Sequence, residues 1–349
     1  MPPRLRTALR RVVASILYYS GLLWLYAAIR LHRRVVVLMY HRVLPSAADS
    51  FSDESIVVTP ETFSRHVRFL KRHFNVLSSA ELADALDGNR RFPSRGCVIT
   101  FDDGWHDNHQ FALSILRREH VPAVVFLATD YIGTESCFWQ ERLARLLWIA
   151  IDGGAGRSLI EEHAGPGIVD LPPGERRRAM RAVVTGMKAW PRAKVASFES
   201  DLLRALGAVG RKHVTNGDDR FMSWRQVAEL QTPGPFSIGA HGCSHAPLTS
   251  LTQDELRKEL STARARIESV VDHQTTVVAY PNGDYDTEVI AAARDAGYRL
   301  GFTTKRGLVA ERDDPLRLRR LNVHEASTGT MPELLCLILG VFQRWPRQL

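Results

Sequence analysis

The apolar residues of this chain fall into two rhythms that alternate along most of its length. Short β-branched or aromatic runs, each closed by a turn or loop signal, read as strands at Val35–Tyr40, Cys97–Phe101, Ala123–Ala128, Phe236–Ala240, Thr276–Tyr280, Arg299–Thr303 and Leu316–Val323. Between them, apolar positions recur at helical spacing behind recognisable start signals. Thr59-Pro60 pairs an N-cap residue with proline at the first helical position, and the helix predicted there carries Phe63, Val67 and Leu70 on one face. Ser78 with Glu81, Ser223 with Gln226 and Thr252 with Glu255 have capping-box spacing, and Gly88 is placed to stop the helix begun at Ser78.

Strands alternating with helices imply parallel pairing, and seven of them predict a closed or nearly closed β/α barrel rather than an open sheet. The polar motifs strengthen this. Tyr40-His41, Asp102-Asp103, His241, Tyr280-Pro281-Asn282-Gly283 and His324 all fall at strand C-terminal ends, the face on which β/α barrels collect their active sites. One segment breaks the rhythm: from about residue 135 to 220 there is no convincing strand, only helical patterns near Trp139–Ile151, Glu175–Trp190 and Arg192–Leu206. It reads as a helical insertion within a barrel spanning 35–330, followed by a C-terminal helix in 331–349. The insertion's basic cluster (Arg176, Arg177, Arg178, Arg181, Lys188, Arg192, Lys194) suits either anionic groups or a solvated helix face.

Ahead of the first strand lies an uncharged run, Val12–Ile29, bracketed by Arg4, Arg6, Arg10 and Arg11 on one side and Arg30, Arg33 and Arg34 on the other. Its length is near the lower limit for crossing a bilayer, which takes about 20 apolar residues. No small-residue cleavage site separates it from the strand that follows, which argues against a removed signal peptide. Arginines at both ends and the cluster Tyr18, Tyr19, Trp24 and Tyr26 suit lipid headgroups better than a buried core helix. Residues 1–34 are therefore expected to form a membrane-associated helix. With little linker before the barrel and cationic residues on both flanks, it is expected to lie in the cytoplasmic leaflet of a bacterial-type inner membrane in preference to spanning it, and a chain starting at Arg33 is expected to be soluble if the barrel packs independently.

The same segment explains the net charge. Of the excess of +8, its seven arginines, with no Asp or Glu among them, account for all but one unit. The barrel itself is nearly neutral, so no nucleic-acid partner is expected. Cys97, Cys137, Cys243 and Cys336 are scattered, with neither paired metal spacing nor a disulfide framework.

The chemistry-bearing residues are Thr100-Phe101-Asp102-Asp103-Gly104, which ends a strand, and His241-Gly242-Cys243-Ser244-His245 far downstream. One carboxylate and two imidazoles make a three-ligand metal site, leaving the second carboxylate free as a base for metal-assisted hydrolysis. Adjacent residues of a strand point in opposite directions, so Asp102 and Asp103 are expected to do different jobs. They do not fit a glycosidase pair, which needs carboxylates about 5 Å or more apart on either side of the scissile bond. His241 and His245 would share a face if helical, and would also converge if Gly242 and Ser244 form a tight turn. The remaining histidines, including His66, His73, His106, His109, His120 and His273, read as surface or hydrogen-bonded residues.

Taken together with Tyr280-Pro281-Asn282-Gly283 and Leu321-Asn322-Val323-His324, these motifs resemble the polysaccharide deacetylases of the NodB-homology type, carbohydrate esterase family 4. The resemblance covers roughly Val35 to Glu325, the insertion excepted. Leu38-Met39-Tyr40-His41-Arg42-Val43 looks like the branch acting on exopolysaccharides or related surface glycans. The resemblance implies a distorted (β/α)7 barrel and a divalent metal, commonly Zn2+, held by Asp103, His241 and His245. It further implies Asp102 as general base, oxyanion stabilisation near Asn282, with Tyr280 and His41 as further substrate-side residues, and His324 as the acid for the departing amine. Two departures stand out. The family's Leu-x-His motif is one residue longer here, and the arginine that many members carry two residues before the third-motif proline, where it orients the base, is Ala279. Arg320 is the substitute expected from alternation along the last strand, which places Arg320, Asn322 and His324 on one face; an ordinary strand-end arginine is the alternative. The implied activity is removal of N-acetyl groups from an amino sugar in a surface polysaccharide or lipid-linked glycan. A deformylase of a lipid-linked sugar and an inactive glycan-binding barrel are the alternatives.

Overall fold

The computed structural model describes residues 3–46, 50–153, 157–165, 167–213, 219–231 and 235–342. It divides into two compact units: Met1–Pro45 with Glu54–Thr134 and Met222–Leu349, and Ser46–Asp53 with Glu135–Phe221.

In the first unit all seven expected strands form, within two or three residues of their expected ends: β1 (Arg34–Tyr40), β2 (Gly96–Phe101), β3 (Ala123–Leu127), β4 (Phe236–Ala240), β5 (Val277–Ala279), β6 (Leu300–Arg306) and β7 (Leu318–Asn322). Each pairs in parallel with the next, and β1 pairs both with β2, Val35 opposite Gly96 through Tyr40 opposite Phe101, and with β7, Leu38 opposite Leu321. The ring is closed in chain order, a distorted (β/α)7 barrel. Strands β1, β2 and β3 are buried along almost their whole length, as a parallel sheet covered by helices requires, while the C-terminal half of β6 is exposed. Val37, Val98, Val124, Phe126, Phe302 and Leu318 belong to one buried cluster at its centre.

The helices of this unit are α1 (Pro3–Tyr19), α2 (Leu22–Arg30), α3 (Pro60–His73), α4 (Ser79–Leu86) and α5 (Leu113–Glu119), and, beyond the second unit's α6 to α9, α10 (Trp224–Gln231), α11 (Gln253–Glu268), α12 (Thr287–Asp295), α13 (Glu325–Thr328) and α14 (Met331–Leu339). The start signals work as read. Thr59 accepts from the Thr62 N–H, and Ser78 with Glu81 and Thr252 with Glu255 form reciprocal capping boxes. Ser223 and Gln226 exchange the same pair of bonds ahead of α10.

The second unit holds α6 (Trp139–Asp152), α7 (Arg157–Ala164), α8 (Pro173–Met187) and α9 (Arg192–His213), packed through Leu143, Leu147, Met180, Val184, Phe198 and Leu202. Helix α7 has no counterpart among the expected patterns, and residues 46–53 join the insertion although they precede α3. Part of the basic cluster covers aromatic faces of its own unit: Arg177 lies over Phe51 and Trp148, Arg192 over Trp139 and Lys194 over Trp190. The Arg178 side chain lies outside the described residues.

The N-terminal run is not one helix. Ser20-Gly21 breaks it, with Gly21 in the left-handed region at φ +82°, and α1 and α2 meet at a bend of 79°. Among the described residues no single helix is long and apolar enough to cross a membrane. One face is core after all: Ala14, Leu23, Ala27 and Leu31 are buried, the Arg11 guanidinium pairs with Glu333 of α14, and Trp24 packs on Phe69 and His73 of α3. Helices α1, α2 and α14 thus belong to the barrel's own unit rather than to separate terminal domains. Residues 343–349 of the expected C-terminal helix lie outside the described residues; α14 ends at Gly340, φ +73°.

Candidate active site

Strand β2 delivers two carboxylates and the backbone then separates them. Asp102 still follows the strand, its N–H donating to the Tyr40 carbonyl of β1, whereas Asp103 has φ +78° and so turns out of the ladder. Gly104 follows at φ +87°, where a Cβ would stand 2.8 Å from both Ile132 and Leu127 side chains. Asp102 points to β7. There Arg320, fully buried, donates from Nη1 to Oδ1 at 2.6 Å and from Nη2 to Oδ2 at 2.7 Å, and is itself held by the Thr303 carbonyl and the Thr100 hydroxyl. The cation missing at Ala279 is therefore supplied from the last strand. Asn322, expected on the same face, donates instead to the Ser55 carbonyl.

Asp103 points to the histidine pair. Its Oδ1 lies 3.5 Å from Nε2 of His241 and 3.5 Å from Nε2 of His245, and the three ligand atoms fall within 4.8 Å of one another. The pair is not helical. Gly242 at φ +73° and His245 at φ +58° fold residues 241–245 into a turn that brings the rings to 4.9 Å between centroids. Glu259 of α11 clamps it: one carboxylate oxygen accepts from the Cys243 N–H, the Ser244 N–H and the Ser244 hydroxyl at 2.7–2.8 Å. A side chain at Gly242 would meet that oxygen at 2.9 Å.

The donor set fits a divalent cation on an observation besides its spacing. His241 Nδ1 is 2.7 Å from the Ala279 carbonyl, which can only accept, so Nδ1 carries the proton and Nε2 presents its lone pair toward Asp103. Likewise Trp105 donates its indole N–H to Asp103 Oδ2 at 2.8 Å, which leaves Oδ1 facing the imidazoles. Arg42, also fully buried, stacks on Trp105 at 4.1 Å and pairs with Asp107 at 2.7 Å. None of Trp105, Asp107 or Glu259 stood out in the sequence, and Arg42 did so only as part of the run Leu38–Val43. The one available signal was a tryptophan placed directly after Asp-Asp-Gly.

Electrostatics separates the groups further. Burial alone would raise the Asp102 carboxyl, but the Arg320 charge, His241, the Arg320 hydrogen bonds and His41 outweigh it and hold it at about 2. Burial pushes His245 down to about 4 despite the opposing pull of Asp103, which keeps its imidazole neutral and ligand-competent at physiological pH. His41 is lowered by burial as well; its Nε2 lies 3.9 Å from Asp102 Oδ2, so it belongs to the site. His324 sits at the end of β7 as the residue preceding α13, its carbonyl accepting from the Thr328 hydroxyl. Asn282 is exposed in a left-handed turn at φ +57°, its carbonyl accepting from Thr304. Tyr280 must be withdrawn as a substrate-side group: it is fully buried, its hydroxyl donates to the Leu316 carbonyl and its N–H to the Phe302 carbonyl, so its polar groups tie strands together.

A seven-stranded parallel barrel with an Asp-His-His cluster and a guanidinium-bound second aspartate at the strand ends is the equipment of a metal-assisted hydrolase. The family model for polysaccharide deacetylases matches residues 89–168 and 192–301, more than half of the chain, and the chain belongs to that family. The Bacillus subtilis protein YxkH, which bears the same family name, is 22% identical over 299 residues, 85% of this chain and 74% of that protein. A poly-beta-1,6-N-acetyl-D-glucosamine N-deacetylase of Staphylococcus epidermidis is 27% identical over 108 residues, 28% of this chain and 37% of that one. Among solved structures, the Streptococcus pyogenes deacetylase PplD in complex with acetate superposes with a TM-score of 0.57 at 18% identity, covering 88% of this chain and 98% of that one. IcaB from Ammonifex degensii gives 0.57 at 17% identity over 87% and 96%. At these identities the structures show a shared fold.

Proposed function

We propose that this chain is a divalent-metal-dependent N-deacetylase, acting on an N-acetylated amino sugar of a surface polysaccharide or lipid-linked glycan. The observation that carries the reading is the division of labour between Asp102 and Asp103, one aspartate gripped by Arg320 and the other turned toward two imidazoles. Asp103 Oδ1 and Nε2 of His241 and His245 are the atoms that would hold the ion, Zn2+ by the family resemblance. Its chemistry would be to polarise the amide carbonyl and make water acidic enough to attack near neutral pH. Asp102, ionised throughout the physiological range, accepts a proton from the attacking water. The resemblance assigns His324 to protonate the departing amine and the backbone near Asn282 to the oxyanion; His41, 3.9 Å from Asp102, faces the same reaction space. The relatives support the substrate class: one is named for poly-beta-1,6-N-acetyl-D-glucosamine, another was solved with acetate.

The alternative of an inactive glycan-binding barrel drew its support from Ala279, and Arg320 restores the cation whose loss motivated it. The test is acetate release from poly-N-acetylglucosamine oligomers and from polyprenyl-linked N-acetyl sugars by the purified full chain, with and without chelator and re-added Zn2+. Chelator-sensitive acetate release is expected. Formate release from N-formyl sugars with no acetate would turn the reading to a deformylase, and no release of either with metal bound would overturn it.

A further inference from the structure

The largest feature the chemistry leaves unused is an apolar surface on the first two helices. Every large apolar side chain more than two-fifths exposed among the described residues lies there: Leu5, Leu9, Val12, Ile16 and Tyr19 on α1, and Leu22, Leu25, Tyr26 and Ile29 on α2, from 41% exposed at Leu9 to 81% at Tyr19. The α1 residues recur at intervals of four and three, one stripe along the helix, and the α2 residues repeat the pattern beyond the Gly21 bend. The stripe faces away from the protein. The opposite faces are engaged, through Ala14, Leu23 and Ala27 in the core, Arg11 on Glu333, and Trp24 on Phe69 and His73. The two helices are thus fixed to the barrel's unit by one side and present hydrocarbon on the other.

We propose that this surface seats the protein on an anionic lipid bilayer, with α1 and α2 lying in the headgroup region rather than spanning it. Three observations favour lipid as the occupant. First, the segment has no Asp or Glu and seven arginines, and α3, which packs against Trp24, adds exposed Arg68, Lys71 and Arg72. The acids nearby are committed: Glu333 is buried on Arg11, Glu311 pairs with Arg33 and Glu119 lies 3.9 Å from Lys71. Second, this charge excess opposes self-association, because a two-fold contact between identical cationic faces sets like charges together. Third, the stripe mixes aliphatic side chains with Tyr19 and Tyr26, whose apolar rings and polar tips suit the interface, and Arg6 and Arg30 stand where their stems can lie along hydrocarbon with the charge in the headgroups. This surface contains no residue of the candidate active site, so the proposal stands or falls apart from the deacetylase reading.

The test is co-flotation of the full chain with phosphatidylcholine vesicles, with and without phosphatidylglycerol, using the wild type, Ile16→Glu/Leu25→Glu and Arg6→Gln/Arg30→Gln. Ile16 and Leu25 are 61% and 65% exposed, Arg30 is exposed and Arg6 is half-buried, and unchanged circular dichroism and thermal melting verify the fold. The wild type is expected to float with both vesicles, more strongly with the anionic ones. The glutamate pair should weaken partitioning about a hundredfold or more, and the glutamine pair should lose most of the anionic preference. Wild-type protein that fails to float with either vesicle overturns the proposal. So does unchanged flotation of the glutamate pair, and so does a dimer in lipid-free buffer that the glutamate pair dissociates while its vesicle binding stays as in the wild type.

Discussion

Arg320 and Asp102 lie 218 residues apart in the chain and meet in a bidentate, fully buried ion pair at the strand ends of the barrel. The pair ties β7 to the end of β2 across the intervening β1, and it holds the group assigned as the base ionised. Because the folded Asp102 carboxyl sits at about 2, below its ordinary value, its contribution to stability is present above about pH 4 and lost as pH falls toward 2.

Arg320→Leu removes the strongest influence opposing burial and leaves only His241 and His41 against it, so the Asp102 carboxyl rises. The acidic limb of the pH profile of kcat/KM should move upward. Breaking one side of a buried pair should also cost about 3–5 kcal/mol in denaturant unfolding. Arg320→Lys, which keeps the charge but loses the two-pronged fit, should shift the limb less. An acidic limb unmoved in the leucine variant would return Arg320 to a structural role.

The metal ligands and the base should separate cleanly by metal content. Asp103→Ala, His241→Ala and His245→Ala should each lose most bound Zn2+ in equilibrium dialysis, whereas Asp102→Asn should keep it and lose turnover by about 10²–10⁴-fold. Wild-type affinity in all three alanine variants would disprove the ligand set.

What the sequence showed and what it hid follow from the range of the interactions. Strands β1, β2 and β3 were legible because each is a buried parallel strand with a largely apolar run, and the helix starts because Thr59, Ser78 and Thr252 act on amides within three residues. Arg320 was reachable from strand alternation, whereas the partner of Asn322, the Ser55 carbonyl, lies 267 residues away and had no signal in the sequence. The break at Ser20-Gly21 was missed because apolar composition runs straight through it and only the left-handed turn interrupts it. Trp105 acts on Asp103 two residues away and had only its place after Asp-Asp-Gly as a signal; Glu259 had none, because the loop it holds lies 15–16 residues before it in the chain. Tyr280 was misread because a strand-end tyrosine near a motif looks alike whether its hydroxyl faces solvent or, as here, the Leu316 carbonyl.

Trp105→Phe keeps the ring on which Arg42 stacks but deletes the N–H held by Asp103 Oδ2. Outer partners of metal ligands typically set affinity by about 10–100-fold, so Zn2+ binding should weaken by that order with little change in thermal stability of the metal-free protein. Glu259→Gln should act similarly by loosening the turn that joins His241 and His245. Unaltered affinity in both would mean the ligands hold their geometry without these partners.

Removing residues 1–32 tests whether the barrel is self-sufficient, as the sequence led one to expect. The structure predicts otherwise. Glu333 is fully buried, and its charge is met by Arg11 at 3.2 Å and by the Thr330 hydroxyl at 2.9 Å. A chain starting at Arg33 leaves that carboxylate with Thr330 alone, and it uncovers the side of α14, buried from Pro332 to Leu339, that α1 and α2 pack against. Because Arg11 is itself half-exposed, the loss of its hydrogen bond to buried Glu333 is worth about 1–3 kcal/mol, which for a unit of this size lowers Tm by roughly 2–8 °C. Adding Glu333→Gln to the shortened chain, which removes the orphaned charge but restores no apolar contact, should recover only part of that loss. A shortened chain that melts with the full one and remains monomeric would show that α1 and α2 are appended to the barrel rather than built into it.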